Sequence, residues 1–292
     1  MNARFTNYPI SKNLIYLALQ MYRSMIDNEK FYIDPSDYRS NCAEPNIFLH
    51  GKNDWYPWLW SRVPQRTSDT ETGWELYFSN FDDVELTGNQ VQDFLNCCSS
   101  IFRPRMELID DHILNTDKKI IGCHFRRGDC CSFANSESKR KPFSDYVNFI
   151  RQYDSNEYCI YIASESIDMV YDEIGNALDE YDIFHSKYSE KIKCLSNLVE
   201  TDIEVYSLEN EYKQIVYDIM ISGIIDMYNL SNSSALIAPY TVSSYSSFSA
   251  LLAYNKNCKT FYDVSTHTLD TKVSNYICFD LESLINFNPI RF

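Results

Sequence analysis

Glycine and histidine are scarce, with seven and five copies in 292 residues, and no GxGxxG run occurs among the glycines. A nicotinamide-dinucleotide turn needs that spacing for a tight bend, for close approach to pyrophosphate and for helix packing. An NAD-type oxidoreductase therefore fails on the glycines alone. No apolar run approaches the ~18 residues that would cross a bilayer. The opening MNARFTNYPI has no basic-then-apolar pattern of a signal peptide. The expectation is a cytoplasmic protein with no membrane span. Ten cysteines include two adjacent pairs but no CxxC, a spacing that argues against zinc and, in a reducing compartment, points to buried free thiols. Cations are outnumbered too: 26 Lys and Arg face 41 Asp and Glu, for a net charge of −15. A field of that sign repels polyanions, so nucleic acid is not an expected partner, and any anionic ligand needs a local basic island.

What is present is a folded chain, 45% hydrophobic and 15% aromatic, far from the composition that keeps a polypeptide disordered. Its length fits one large or two modest domains. From residue 119 onward, short apolar runs alternate with helical periodicity, the βαβ pattern of a parallel sheet flanked by helices. The predicted strands are Lys119 to Phe125, Tyr158 to Ala163, Asp182 to His185, Ala235 to Ala238 and Lys259 to Val264. Helices are predicted from Pro142 (apolar at Phe143, Tyr146, Val147, Ile150 and Tyr153), from near Ser166 (Ile167, Val170, Tyr171, Ile174 and Leu178), from about Glu209 to Leu230, and from about Phe248. The first half reads as a helix from Ser11 to Asp27, a strand Phe31 to Ile33, an aromatic loop-rich middle, and a helical stretch from Gly88 to Leu114 broken near Pro104. With no Gly-, Ser- or Pro-rich linker, the domain boundary rests on the change of pattern and falls at 117/118, giving domains 1–117 and 118–292.

The basic island exists. Lys118, Lys119, Arg126, Arg127, Lys139, Arg140 and Lys141 put seven of the 26 basic residues in 24 positions, where an even spread would put about two. At its centre, Cys123-His124-Phe125-Arg126-Arg127-Gly128-Asp129 falls where a buried strand ends, the sheet edge at which open α/β folds bind ligands. Guanidinium is permanently charged and grips phosphate oxygens two at a time. Adjacent arginines at that edge therefore suggest a diphosphate, the alternative being a surface ion-pair cluster. His124 is either part of that site or a core histidine satisfied by backbone. Trp55, Trp58, Trp60 and Trp74, with Tyr56 and Tyr77, crowd one short stretch. Such rings either stack on a sugar or fill a small core.

The segment Ile120 to Asp129, IIGCHFRRGD, resembles the HxRRxD motif of the fucosyltransferase superfamily that includes α1,2-, α1,6-, protein O- and nodulation fucosyltransferases. Three more segments follow in family order. Ala3-Arg4-Phe5-Thr6-Asn7 resembles the GRxGN turn of the first domain, with Ala3 and Thr6 in place of both glycines. Tyr161 to Ser166 resembles the strand-end ATD or ASD segment, with Glu165 for Asp. Asp226 to Ser231, the strand Ala235 to Ala238 and Ser246-Ser247-Phe248-Ser249 resemble the acidic helix end, strand and SSFS loop, with a second pair, Ser243-Ser244, three residues earlier.

The resemblance implies a GT-B fold, two Rossmann-like domains facing each other across a cleft. It also implies an inverting, metal-independent transfer of fucose from GDP-fucose to a glycan or protein hydroxyl. GDP-fucose is then the donor substrate, no cofactor is expected, and the partners are a GDP-sugar and a glycan or glycoprotein acceptor. Arg126 would hold the β-phosphate, His124 would lie beside the nucleoside, and Arg127 and Asp129 would shape the phosphate site. Ser164, Glu165 and Asp226 would contact ribose or guanine, Ser246, Ser247 and Phe248 would close on phosphate and base, and Asn7 would face the reacting centre. The alternatives are a transferase for another GDP-sugar and a catalytically inactive nucleotide-sugar or glycan-binding protein.

Overall fold

The computed structural model describes residues 2–4, 10–29, 32–34, 76–77, 86–102, 104, 109–126, 143–164, 166–185, 222–240, 243–256, 258 and 260–264. The tryptophan cluster, the stretch Ser186 to Glu204 and the first part of the helix expected from Glu209 lie outside these residues. Two compact units partition the chain: Met1–Asp110 with Asp280–Phe292, and Asp111–Phe279. Among the described residues no helix is long and apolar enough to cross a membrane.

In the first unit, β1 (Asn2–Arg4) pairs in parallel with β2 (Tyr32–Asp34), and β2 pairs antiparallel with β3 (Leu76–Tyr77). Strands β1 and β3 were not expected. A run of two or three residues carries too little alternation to register as a strand, so its pairing is set by partners distant in sequence. Ala3, the first residue of the segment resembling the family turn, sits in extended backbone opposite Ile33, and Phe5, Thr6 and Asn7 lie outside the described residues. Helix α1 (Ile10–Ile26) buries Leu14, Leu17, Ala18 and Met21 and ends at Asn28, whose φ of 51° is the left-handed exit that closes many helices. Helix α2 (Gln90–Ile101) packs on it through an edge-on contact between Phe94 and Tyr22. Its start is fixed by Asn89, whose Oδ1 accepts from the amides of Val91 and Gln92. It stops at Phe102, two residues ahead of Pro104, as helices usually end at or before the residue preceding a proline.

The second unit is built on five parallel strands: β4 (Lys119–Phe125), β5 (Tyr158–Ser164), β6 (Ile183–His185), β7 (Ala235–Ala238) and β8 (Thr260–Asp263). They lie in the order β6-β5-β4-β7-β8. All five expected strands form within a residue or two of their predicted ends. Strand β4 is buried from Ile120 to Phe125, the near-continuous apolar run of a strand covered on both faces. Alternation sends Ile121, Cys123 and Phe125 to one face, where α3 (Phe143–Ile150) and α4 (Ile167–Ile174) cover them. It sends Ile120, Gly122 and His124 to the other. There, residues of a helix over 222–231 (α5) and of α6 (Ser244–Asn255) pack on Tyr161, Ala163, Leu236 and Ala238.

Two expectations change here. Tyr171, placed on the apolar face of α4, is 37% exposed and makes an edge-on contact with the His185 ring, whereas Ile167, Val170, Ile174 and Leu178 are buried. The apolar stripe is narrower than the periodicity suggests. Helix α6 begins at Ser244 rather than Phe248, because Ser243 caps it by accepting from the Ser246 amide at 3.3 Å. The SSFS segment is thus the first turns of a helix and not a loop.

Candidate functional site

Strand order reverses at β4: the chain runs from β4 out to β5 and β6 on one side, then returns to β7 and β8 on the other. Open parallel sheets bind ligands at such a switch point, beyond the carboxyl ends of the strands. Here that place is the end of β4 beside the end of β7. Strand β4 delivers His124 and then Arg126, and the segment after β7 delivers Tyr240, the Ser243 cap and the first turn of α6.

His124 is 4% exposed. Its Nδ1 lies 2.6 Å from Ser246 Oγ in a hydrogen bond whose direction follows the imidazole tautomer. The Tyr245 ring leans on it at 5.1 Å. Its carbonyl accepts from the Tyr146 hydroxyl at 2.9 Å, and the Tyr146 ring stacks on Phe125 at 3.9 Å, so α3 pins the end of β4 from the opposite face. Burial, aided by the positive charge of Arg126, lowers the imidazole pKa to about 3. His124 is therefore neutral at pH 7 and too weak a base to take a proton from a hydroxyl. What it offers is a hydrogen-bonding edge: Ser246 uses Nδ1, and among the described residues Nε2 has no partner. Arg126, half-buried at the strand end, is the positive charge next to it.

The start of α6 is held by its own serines. Ser247 Oγ donates toward the carbonyls of Tyr240 (2.8 Å) and Ser243 (3.0 Å), which ties the helix to the segment leaving β7. The Tyr240 amide donates to Asp263 Oδ1 at the end of β8. The first amides of a helix carry partial positive charge and favour an anion, so this helix end and Arg126 act in the same sense. On α5, Asp226 is buried and accepts from the Tyr161 hydroxyl at 2.7 Å. Burial first, and the Asp226 charge second, push the Tyr161 phenol pKa well up, so it stays protonated and keeps donating. The Tyr245 hydroxyl donates to the Gly223 carbonyl, also on α5.

The site residues expected from sequence divide accordingly. His124 and Ser246 are in direct contact, Arg126 is beside them, and Ser247 fastens the helix start. Asp226 is an interior residue in mid-helix, neither exposed nor at a helix end. Ser164 is buried at the end of β5, opposite Phe125, with Oγ accepting from the Ser166 amide. Phe248 departs from expectation: it is fully buried and offers no ring surface to a base, because with the helix starting at Ser244 its position faces inward. Asn7, Arg127, Asp129 and Glu165 lie outside the described residues. Sequence reasoning missed Tyr245, whose signal was an aromatic residue set between two serine pairs. It also missed Tyr161 as the partner of Asp226. Among the described residues no three His, Cys, Asp or Glu side chains converge as metal ligands.

No family model and no curated protein sequence matches the chain. Among solved structures it is similar to a NodZ alpha-1,6-fucosyltransferase soaked with GDP-fucose, at 12% identity over 86% of this chain and 91% of that one, with a TM-score of 0.48. It is also similar to fucosyltransferase NodZ from Bradyrhizobium (12% identity, 86% and 92% covered, TM-score 0.48) and to NodZ co-crystallised with GDP (13%, 86% and 91%, 0.47).

Proposed function

We propose that this chain is an inverting glycosyltransferase of GT-B type that binds a GDP-sugar, with GDP-fucose as the donor, and passes the sugar to a glycan or protein hydroxyl. One observation supports the reading: the segment His124 to Arg126 lies at the end of a buried strand at the switch point, and its histidine is bonded to a serine in the capped first turn of α6. A permanent cation and a helix start meet there, the combination that suits a diphosphate. In the reaction the acceptor oxygen forms a bond to the anomeric carbon as that carbon's bond to the β-phosphate oxygen breaks. The electron pair leaves with GDP, and the acceptor proton passes to a base. Arg126 stabilises the negative charge that grows on the β-phosphate, the work a metal does in other transferases. His124, neutral, serves as a hydrogen-bonding group to the nucleoside and not as the base. No carboxylate is marked for that role by spacing, and Asp129 and Glu165 are the candidates.

Calorimetry with GDP, GMP and UDP tests the binding half: GDP should bind and UDP should bind poorly. Release of GDP from GDP-fucose on adding glycan acceptors tests the transfer half. Binding without turnover across GDP-, UDP- and dTDP-sugars would leave a nucleotide-sugar-binding protein, and no GDP binding at all would end the proposal.

A further inference from the structure

The direction of the hydrogen bond between Ser246 and His124 decides what the imidazole shows to the strand ends. A neutral imidazole carries one hydrogen, on Nδ1 or on Nε2, and the nitrogen without it is an acceptor. Ser246 is fully buried, and among the described residues His124 Nδ1 is the one partner of its Oγ. A hydroxyl has a hydrogen to place as well as lone pairs. If Nδ1 were the donor, that hydrogen would be buried with no acceptor among the described residues, and a buried donor left unmade costs its full desolvation. The distance agrees. At 2.6 Å the pair is closer than N–H···O bonds ordinarily come, about 2.7–3.2 Å, and within the reach of a hydroxyl donor. Ser246 therefore donates, Nδ1 accepts, and Nε2 carries the hydrogen. Although the residue is only 4% exposed, Nε2 is not one of the buried polar atoms left without a partner, and no described residue bonds it, so it reaches solvent. Tyr245 leans on the ring and the Tyr146 hydroxyl holds the His124 carbonyl, which leaves the imidazole held from its side, its edge and its backbone.

We propose that Ser246 is a positioning residue that locks His124 in the tautomer with hydrogen on Nε2, so that the imidazole offers a neutral N–H donor beside Arg126 and takes an acceptor atom of the ligand. The ligand half rests on the GDP-binding reading above; the tautomer half does not. Guanidinium also has donors and no acceptor, so the two groups present hydrogens in the same sense. Together they suit a phosphate oxygen, a carbonyl or a bare ring nitrogen, and they refuse an ammonium group, which has only hydrogens to offer. A nitrogen that already bears hydrogen takes none from an acceptor hydroxyl, so the lock also withdraws Nε2 from the role of base.

The chain has five histidines, few enough for imidazole nitrogen NMR of the full chain at pH 7, with His124→Asn assigning the signal. The ligand-free wild type should show a bare, acceptor-type Nδ1 and a hydrogen-bearing Nε2. The reverse pattern, or both tautomers in comparable amounts, overturns the lock, and this reading stands even if a variant fails to fold. Ser246→Ala should release the ring into both tautomers while Ser246→Thr, which keeps the hydroxyl, should retain the wild-type one; an unchanged tautomer in the alanine variant removes Ser246 from the role. Titration with GDP reads the ligand half. Bound GDP should shift the Nε2 hydrogen and leave Nδ1 an acceptor, and Ser246→Ala should weaken GDP about 2- to 10-fold, as for one net hydrogen bond. A shift with guanosine alone puts the acceptor on the nucleoside, and a shift with pyrophosphate alone puts it on the phosphates. GDP bound with the Nε2 signal unmoved, or with equal affinity in the alanine variant, overturns the ligand half. If the wild type binds no GDP, the functional reading has failed by itself, and the ligand-free spectra still decide the lock.

Discussion

His124 and Arg126 stand two positions apart on one strand end, yet they do different work because their surroundings differ. Arg126 keeps its charge in any environment and is half-buried at the strand end. Arg126→Ala should therefore abolish transfer and weaken GDP binding by 1 kcal/mol or more, on the order of a charged hydrogen bond, with the fold intact. Lysine should rescue poorly, since an ammonium cannot form the two-point grip. Turnover at the wild-type rate in the alanine variant, assayed beside its circular dichroism, would remove Arg126 from the mechanism. His124 is the reverse case, a titratable group forced neutral. Its native pKa of about 3 lies below the unfolded value of 6.5, so between those limits the unfolded chain takes up a proton that the native imidazole does not. The stabilisation is complete above pH 6.5 and is lost as pH falls toward 3, with a slope from this residue of about 1.4 kcal/mol per pH unit. Urea unfolding at stepped pH should show that slope reduced by one proton in His124→Asn, and superimposable pH profiles for the two proteins would rule it out.

The start of α6 illustrates how one element's boundary decides what its side chains can reach. With Ser243 as cap, Ser246 falls on the side facing β4 and Phe248 falls inside. A helix beginning at Phe248 would have left all four serines in a loop. The approach of α5 and the residues after it to the sheet depends on Gly122, which lies on the same face of β4 as His124. A Cβ there would meet Ser233 Oγ, Leu236 Cδ1 at 2.6 Å and Leu230 Cδ2 at 3.0 Å. Two of those atoms end short or strand-bound side chains with little room to move. Gly122→Ala should accordingly destabilise the protein by about 1–3 kcal/mol, the usual cost of overpacking, and displace the end of α5. Chemical denaturation reads the first effect, and an alanine variant as stable as wild type would mean that the helix yields without cost.

Over the whole molecule, a charge of −15 and a site for a diphosphate are compatible only if the cations are concentrated where the phosphate binds. Seven of the basic residues fall within 24 positions of sequence, but among the described ones Lys118 and Lys119 stand at the start of β4, paired with Asp182 and Glu157, and Arg126 is the one at its end; the sequence has no DxD acidic pair beside a nucleotide loop to hold a bridging cation. Transfer should then persist in EDTA. Loss of activity on chelation, with recovery on adding Mn²⁺ or Mg²⁺, would mean that a cation carries the phosphate charge in place of Arg126. GDP affinity should also fall with added salt less steeply than a diffuse surface patch would allow, because Arg126 is half-buried and poorly screened.

The strands of the second unit were legible in the residues themselves. Runs such as Ile120 to Phe125, apolar but for His124, and Ala235 to Ala238 fit a short strand covered on both faces. The placing of His124 and Arg126 at a strand end followed from the same runs. The pairs β1–β2 and β2–β3 were not legible, since two or three residues gain their structure from partners far along the chain. Nor was the order β6-β5-β4-β7-β8, which fixes where the switch point lies and hence that a strand ending at residue 125 meets a helix starting at residue 244. Local periodicity records which face of an element is buried. Which serine meets the imidazole, and which tyrosine holds the aspartate, depends on distances between elements more than a hundred and about sixty residues apart, and those are set only when the sheet and its helices pack.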